Sequence, residues 1–362
     1  MSIITSAEAF LIDVPVETVR TDSVQAFLKQ ETIFVRITTD DGNIGLGYSY
    51  TIGTGGTAVL ALLRDYLVPK LMGMDSQYVE KVWNEIYYST RATATGAITS
   101  LAVAAIDTAI WDLKCKRTNQ SLVIAAGGYR DRVPLYDTEG GWLHLTTEEL
   151  VFGASESKAK GWLGVKLKVG KADVHEDFER LAAVRAIVGP KMHIMVDANQ
   201  SMTLAEAKRR AKAFEPLDLF WFEEPLPADD IAGHAALAKF TSIPIAVGET
   251  MYSVAQFQQY LHSEAAEIIQ VDVARVGGIT PWLKVAHLAE SFNVKVCPHF
   301  LMEIHVSLAA AIPNGLYVEH IPQLRSITHS EIVIESGFAL APKTPGLGID
   351  WNFEDIEKMR IV

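Results

Sequence analysis

Short apolar runs, each ending in a charged residue, recur along the chain between Gly164 and His320. Successive runs end 20 to 29 residues apart, at Lys166 and Lys168, Asp197, Glu223, Glu249, Asp272, His299 and Glu319. This interval is the length of one strand–loop–helix–loop unit. A buried charge is costly unless it is paired or binds a metal, so charges that end successive strands indicate one shared site.

The first part of the chain has a different pattern. Residues 3–13 and 31–39 are rich in β-branched side chains and predict two strands, and the second leads through the turn at Asp41-Gly42 into a third strand, IGLGYSY. Helical periodicity follows over residues 57–73, 76–89 and 97–116. Residues 1–125 are therefore predicted to form an α+β domain, a small antiparallel sheet followed by helices.

From residue 133 onward, strands and amphipathic helices alternate, which predicts parallel pairing with right-handed crossovers. The predicted helices lie near residues 147–160, 173–188, 203–215, 228–240, 253–261, 278–291 and 303–312. Eight strands of this kind form either a (β/α)₈ barrel or an open doubly wound sheet. Charges at the ends of at least six strands favour the barrel, because an open sheet concentrates its ligands at one switch point. The fold class is thus α/β, a modified (β/α)₈ TIM barrel with an α+β capping domain.

The predicted domain limits are 1–125 for the cap and 126–337 for the barrel, with a C-terminal segment, 338–362, that packs back on the cap. A formal net charge of −12 argues against nucleic-acid partners and against attachment to an anionic membrane. The two cysteines, Cys115 and Cys297, lie far apart and fit a reducing compartment. The N-terminus lacks the pattern of a signal peptide, so a cytoplasmic protein is expected.

Three carboxylates, Asp197, Glu223 and Glu249, end three successive predicted strands. Hard oxygen ligands that converge on one rim suit Mg²⁺, which leaves positions open for water or substrate oxygens. The alternative for each residue alone is a helix cap or a structural ion pair. The matched positions of all three favour a metal site.

Acid/base residues are predicted on either side of these carboxylates. Lys166 and Lys168 are two apart on one strand and face the same way. Burial in a barrel would lower their pKa values, and the nearby like charge would lower them further, so that a neutral amine is available as a base. Surface lysines on an edge strand are the alternative. Asp272 would fix the tautomer of His299 and raise its basicity, making His299 a second acid/base. Glu319, if protonated, would donate a hydrogen bond to an oxyanion.

Several motifs resemble those of the enolase superfamily, specifically its mandelate racemase subgroup. They are KLK at 166–168, VDANQS at 196–201, WFEEP at 221–225, GET at 248–250, DVARVGGIT at 272–280, PHFLMEIH at 298–305 and PGLGIDW at 345–351. The resemblance implies a cap over a modified barrel, and Mg²⁺ held by the three carboxylates. It also implies that Lys168 and His299, supported by Asp272, act on opposite faces of the substrate. Lys166 would lie beside the substrate carboxylate, Glu319 would bond to an enediolate, and Asn199 would contact groups near the metal or serve as a turn residue.

Substrate specificity in this family resides mainly in two cap loops, here VETVRTDSVQAF and SYTIGTGG. The polar first loop suits a polyhydroxylated acid, and its Arg20 is a candidate partner for a distal carboxylate or a surface arginine. TEGGWLHL resembles the corresponding segment of galactarate/talarate-type dehydratases and makes Thr138 and His144 candidate substrate contacts. Tyr48, beside the second loop, is a further candidate.

These features predict an Mg²⁺-dependent acid-sugar dehydratase, acting on a small carboxylate and, by analogy with relatives, assembled as a homo-oligomer. A racemase, epimerase or sugar-acid cycloisomerase with the same enediolate is the alternative within enzymes. A catalytically silent barrel that acts as a binding protein is the alternative from another class, although all the lysine, carboxylate and histidine positions of the motifs are present.

Overall fold

The computed structural model describes residues 1–93 and 96–361. The chain begins with a three-stranded antiparallel sheet in the order β1-β2-β3. Its strands are β1 (Ile4–Val14), β2 (Gln30–Thr39) and β3 (Ile44–Thr51). Phe10 of β1 lies opposite Phe34 of β2, and the two rings stack with their centroids 5.2 Å apart. Gly42, with φ of 81°, supplies the predicted turn between β2 and β3.

Helices cover one face of this sheet. They are α1 (Gly56–Leu62), α2 (Val68–Leu71), α3 (Val79–Ser89), α4 (Ala97–Arg117) and α5 (Leu122–Ala125), with a π-helical stretch at Leu63–Leu67 and a 3₁₀ turn at Arg91–Thr93. The predicted helix over residues 57–73 is therefore interrupted by a π-helical stretch. Helix α4 packs directly on β3, where a Cβ atom added to Gly47 would lie 2.2 Å from the backbone nitrogen of Ala109. Glycine at position 47 thus permits the close approach of helix and strand.

Eight parallel strands follow and close on themselves. They are β4 (Arg132–Asp137), β5 (Gly164–Lys168), β6 (His193–Asp197), β7 (Trp221–Glu223), β8 (Ile245–Val247), β9 (Ile268–Ile269), β10 (Lys295–Val296) and β11 (Val318–His320). Each strand from β4 to β9 pairs with the next, and β11 pairs in parallel with β4. A parallel bridge between Val296 and Gly315 joins β10 to the segment that leads into β11. The prediction of a barrel is confirmed, and the open doubly wound sheet is excluded.

Seven helices alternate with these strands. They are α6 (Thr147–Ala159), α7 (Val174–Val188), α8 (Leu204–Phe214), α9 (Ile231–Ala238), α10 (Val254–His262), α11 (Ile279–Ser291) and α12 (Met302–Ala311), with a 3₁₀ turn at Glu215–Leu217. Side-chain caps fix where several begin: Thr146 and Glu149 form a capping box at α6, and Thr203 and Ser253 accept backbone N–H groups at α8 and α10. Each cap sets the length of the loop between a strand end and its helix.

The barrel interior is apolar below its rim. Met195, Trp221, Cys297 and Tyr317 are buried in one cluster inside the barrel, with Tyr136, Ala246 and Ile268. Four of the charged residues lie two positions after a member of this cluster: Asp197, Glu223, His299 and Glu319. Because side chains alternate between the faces of a strand, this spacing brings the charged groups to the same interior face, one layer higher.

The C-terminal part of the chain contacts both the cap and the barrel. It contains a 3₁₀ turn at Arg325–Ile327, a hairpin of β12 (Ile334–Glu335) and β13 (Phe338–Leu340), and α13 (Phe353–Lys358). Strand β13 pairs antiparallel with β4, whereas Trp351 packs edge-on against Phe34 and Tyr48 of the cap. The hairpin spans the predicted boundary at residue 337, so the domain limits stay a prediction, and residue 362 lies outside the described residues. Within the described ranges, no helix is both long and apolar enough to cross a bilayer.

Candidate active site

Three buried carboxylates meet at the rim of the barrel. Asp197 ends β6, Glu223 ends β7 and Glu249 follows β8, and one oxygen from each lies within 4.8 Å of the others. Gly248, with φ of 144°, turns the chain so that Glu249 faces the same point. Trp221 donates its indole N–H to Glu223 at 2.9 Å, which fixes that carboxylate from below.

Two lysines of β5 bind these carboxylates. The ammonium group of Lys166 lies 2.7 Å from Glu223 and 2.9 Å from Glu319, and only 1% of the residue is exposed. Lys168 donates hydrogen bonds to Asp197 and, at 3.0 Å, to the amide oxygen of Asn199. Both lysines face the barrel interior, so the alternative of surface lysines on an edge strand is wrong.

The expectation that burial and the neighbouring ammonium group would lower the pKa of Lys168 is wrong for this structure. Burial, the largest single effect, favours the neutral amine, but the carboxylates of Asp197, Glu249 and Glu223 together favour the ammonium ion, so the pKa of Lys168 is raised. The pKa of Glu223 is raised as well, by burial and then by the charge of Asp197. Without a cation between the carboxylates, the lysines therefore hold their protons.

Opposite the lysines, His299 and Asp272 form a hydrogen-bonded pair. His299 follows β10, and its Nδ1 lies 2.9 Å from Oδ2 of Asp272. Asp272 also accepts the backbone N–H of Ala274 at 2.7 Å and the hydroxyl of Tyr50 at 2.7 Å. Burial raises the pKa of Asp272, but the hydrogen bond to His299 and the nearby charges of His299 and Arg275 together lower it to about 2. The ionised carboxylate fixes the imidazole so that Nε2 is the free nitrogen.

Glu319 is ionised rather than protonated. Burial favours its neutral form, but the Lys166 ammonium group holds the pKa of Glu319 below its usual range. Its two oxygens accept hydrogen bonds from the hydroxyl of Thr138 at 2.7 Å and the backbone N–H of Phe300 at 2.9 Å. Glu319 must therefore gain a proton before it can donate the predicted hydrogen bond. In this structure it accepts hydrogen bonds, and the donors beside it are Thr138 and Lys166.

A cavity of about 120 Å³ opens above these groups. Its walls include Lys168, Glu249, His299 and Glu319, together with two of the five predicted substrate contacts, Thr138 and Asn199. The cap contributes Asp22, Val24, Gln25, Phe27 and Ile52. The cavity is thus closed from one side by the first cap loop, as the sequence predicts.

The other predicted substrate contacts, Arg20, Tyr48 and His144, are not among the described residues that line this cavity. Arg20 is buried and binds Glu139 through Nε at 3.2 Å and through Nη2, while its Nη1 donates to Gln323 at 3.2 Å. This side chain has its hydrogen-bonding groups occupied, so it ties the cap loop to the barrel instead of facing a distal carboxylate.

Tyr48 and His144 have structural contacts. Tyr48 is buried in the cap, where its ring lies between Phe34 and Trp351. His144 is exposed, and its Nδ1 lies 2.8 Å from the hydroxyl of Thr21, which makes a second link between the cap loop and the barrel.

Further cavity residues were missed by the sequence reasoning. They are Gln200, Glu224, Arg275 and Trp142, each within or beside a recognised motif. Gln200 and Glu224 have positive φ values of 65° and 38°, and the backbone N–H of Gln200 donates to the carbonyl of Glu224 at 2.7 Å. Glu224 could have been noticed in the sequence as the second glutamate of WFEEP. Strand alternation, however, predicts that its side chain points away from that of Glu223, and only the positive φ of its backbone brings it to the cavity.

The carboxylate trio suits a divalent cation. Oε2 of Glu249 is buried and, within the described residues, has no hydrogen-bond partner, although His299 lies 3.4 Å away. A buried oxygen without a partner is costly. A hard cation between the three carboxylates would remove that cost and the repulsion among them, so the donor set fits Mg²⁺.

Comparison with known proteins identifies the family. Residues 5–125 match the mandelate racemase / muconate lactonizing enzyme N-terminal domain, and residues 150–356 match the enolase C-terminal domain-like family. The chain belongs to the mandelate racemase/muconate lactonizing enzyme family of the enolase superfamily. The predicted resemblance is confirmed.

Individual relatives have two kinds of activity. The chain is 35% identical over 316 residues to an L-talarate/galactarate dehydratase of Salmonella typhimurium, covering 87% of this chain and 79% of the relative. It is 34% identical to a 3,6-anhydro-alpha-L-galactonate cycloisomerase of Streptomyces coelicolor, covering 97% and 98%. The crystal structure of L-talarate dehydratase from Polaromonas sp. JS666, complexed with Mg and L-glucarate, is 38% identical, with a TM-score of 0.95 and coverage of 100% and 98%.

Proposed function

We propose that the chain is an Mg²⁺-dependent acid-sugar dehydratase. The observation that carries this proposal is the placement of Lys168 and His299 in one cavity, with the three carboxylates between them in the barrel order. Lys168 lies on β5 and His299 follows β10, so the two groups approach from different sides of the barrel. A substrate bound at the carboxylate trio would have an acid/base group at each face of its α-carbon.

The substrate carboxylate would lie beside Lys166 and the trio. Removal of the α-proton places a second negative charge on that carboxylate, giving an enediolate. The ammonium group of Lys166 would stabilise this charge by donating a hydrogen bond to it. Bound Mg²⁺, held by Asp197, Glu223 and Glu249, supplies Lewis-acid stabilisation of the same charge.

Loss of the β-hydroxyl completes the dehydration. The C–O bond breaks as the electron pair of the enediolate forms a C=C bond, and the leaving hydroxide takes a proton from Lys168 or His299 to become water. The resulting enol then tautomerises to a 2-keto acid. Asp272 keeps His299 in the tautomer that presents Nε2 for proton transfer.

Two observations support a polyhydroxylated substrate. The cavity walls present hydrogen-bonding side chains from the cap and the barrel, including Asp22, Gln25, Asn199 and Gln200. The relatives that the chain resembles include the talarate/galactarate dehydratase, which is named for acid-sugar substrates. The similarity to the anhydrogalactonate cycloisomerase over nearly the full length favours a sugar-acid isomerase as second candidate, because the same enediolate serves both reactions.

A panel of aldonates and aldarates, incubated with the protein and Mg²⁺, tests the proposal. Formation of 2-keto acid from at least one member is expected, and chelation of the metal should abolish it. Lys168→Ala is the matched inactive control. Epimerisation or lactone opening without any keto acid would replace the dehydratase with the isomerase.

We further propose a homo-oligomer that acts in the cytoplasm without a nucleic-acid partner. Both cysteines are buried and free, which is compatible with a reducing compartment, and the net charge of −12 disfavours nucleic acid. Light scattering after size-exclusion chromatography checks the assembly: a single species at the monomer mass of 39.8 kDa would contradict it.

A further inference from the structure

Tyr50, a cap residue, reaches the acid/base pair of the barrel. It lies in β3, is 2% exposed, and donates its hydroxyl to Oδ2 of Asp272 at 2.7 Å. The same oxygen lies 2.9 Å from Nδ1 of His299. One carboxylate oxygen therefore receives the tyrosine hydroxyl and the histidine imidazole together.

Tyr50 is itself held firmly. Its ring packs on Phe300 with the centroids 4.6 Å apart, and the guanidinium group of Arg275 lies 5.8 Å from the ring centroid. The other oxygen of Asp272 accepts the backbone N–H groups of Ala274 and Arg275, at 2.7 and 3.1 Å. Asp272 is thus fixed by the barrel backbone through one oxygen and by the cap through the other.

The hydroxyl of Tyr50 is suited to donate this bond. Burial, opposed in part by Arg275, raises the pKa of Tyr50 well above its ordinary value, so the phenol keeps its proton. A carboxylate that accepts a second strong hydrogen bond has less freedom to rotate about its χ2 torsion. The direction of the Asp272–His299 bond, and with it the position of Nε2, then depends on the cap strand.

We propose that Tyr50 is a positioning residue for the His299 half of the reaction. It orients Asp272, and through Asp272 it orients His299, without contacting the substrate. Proton transfer by His299 then depends on how β3 packs against the barrel. The inference rests on the proposed function, because it assumes that His299 transfers a proton at the α-carbon. Lys168 has its own partners, Asp197 and Asn199, and does not depend on Tyr50.

Tyr50→Phe removes the hydroxyl and keeps the ring. Tyr48→Phe is the matched control, because Tyr48 lies two residues away in β3, is equally buried, and has a hydroxyl without a hydrogen-bond partner among the described residues. Exchange of the α-proton with deuterated solvent is followed by NMR for each member of the aldonate and aldarate panel and for its α-epimer. In Tyr50→Phe, we expect the exchange rate to fall roughly 10-fold for the epimer that exchanges through His299. For the epimer that exchanges through Lys168, the rate should fall less than about 2-fold. Tyr48→Phe should change neither rate.

A second measurement needs no substrate. In protein labelled with ¹⁵N-histidine, the Nδ1–H signal of His299, assigned by its loss in His299→Asn, should shift in Tyr50→Phe and stay in place in Tyr48→Phe. An unchanged signal in Tyr50→Phe, or equal slowing of both epimers, overturns the inference. If the signal shifts but the wild type exchanges no member of the panel, Tyr50 still positions His299. That result would contradict the proposed function instead.

Discussion

Glu249→Gln separates the metal-binding role of the carboxylate trio from a structural role. Glu249 differs from Asp197 and Glu223 because no lysine ammonium group of the described residues binds it; its cationic neighbour is Arg275, whose Nη1 lies 3.7 Å from Oε1. Without a cation, Glu249 is repelled by the other two carboxylates, with the nearest ligating oxygens within 4.8 Å. Replacing it with an amide removes this repulsion and keeps the shape of the side chain.

The magnitude follows from these distances. With an effective dielectric constant of about 20, each repulsion at 4.8 Å is about 3.5 kcal/mol, and the attraction to Arg275 at 3.7 Å is about 4.5 kcal/mol. Two repulsions exceed one attraction by roughly 2 kcal/mol, so the metal-free variant should be more stable than the metal-free wild type. At roughly 2 °C per kcal/mol for a large chain, the expected rise in Tm is about 4 °C.

Mg²⁺ should remove most or all of the stability advantage of the variant. At about 100-fold excess over its Kd, a ligand that binds the folded state adds about 2.7 kcal/mol to wild-type stability. Glu249→Gln lacks one of the three charges and should gain less than half of this at the same concentration. Thermal unfolding with and without Mg²⁺ measures both effects, and Glu264→Gln, at an exposed position, is the control. A variant with a lower metal-free Tm and the full wild-type response to Mg²⁺ would show that Glu249 is a structural ion-pair partner.

Two further predictions concern stability away from the trio. Asp177 is fully buried and binds both Arg180, at 3.2 Å, and Arg210, which also binds Glu206. Asp177→Ala removes the carboxylate that these two buried guanidinium groups share, and it should cost about 3–5 kcal/mol of unfolding free energy in urea titrations. A cost below about 1 kcal/mol would contradict this. Burial raises the pKa of Asp107 to about 7, although it accepts two hydrogen bonds from Thr280. Because the folded state binds this proton more tightly than the unfolded state, the contribution of Asp107 to stability should fall as pH rises from about 4 to 7, by up to roughly 4 kcal/mol at about 1.36 kcal/mol per pH unit. Relative to the wild type, Asp107→Asn should therefore gain stability over this range, and a pH-independent difference would refute the assignment.

The barrel and its charged rim were predictable from the sequence because local rules determine them. Strand alternation carries Met195 and Asp197 to the same interior face, and it does the same for Trp221 and Glu223. The interval between strands fixes the number of strand–helix units, and eight such units close a barrel.

Residues that depend on contacts between the cap and the barrel were not predictable. Arg20 is separated from Glu139 by 119 positions, and only the folded chain shows that this ion pair occupies the guanidinium group. Tyr50 and Asp272 are 222 positions apart. The sequence carries no periodic pattern for pairs of this kind, because each depends on how two separately patterned units dock.

The protonation states of the buried charged groups were also not predictable from the sequence. A neutral Lys168 was expected from burial and a like charge, whereas the nearby carboxylates, Asp197 first among them, together raise its pKa. Distances between strands β5 and β6 are a property of the closed barrel. The positions of the charges were therefore predictable, and their protonation states were not.

The most direct test of the acid/base assignment is α-proton exchange with deuterated solvent in the presence of Mg²⁺. It is measured for the wild type, Lys168→Ala and His299→Asn with a substrate taken from the acid-sugar panel and with its α-epimer. Each variant is expected to lose exchange about 10²–10⁴-fold for one epimer, and the two variants should affect opposite epimers. Exchange that is undiminished in both variants would contradict the assignment of Lys168 and His299 as the groups that move the α-proton.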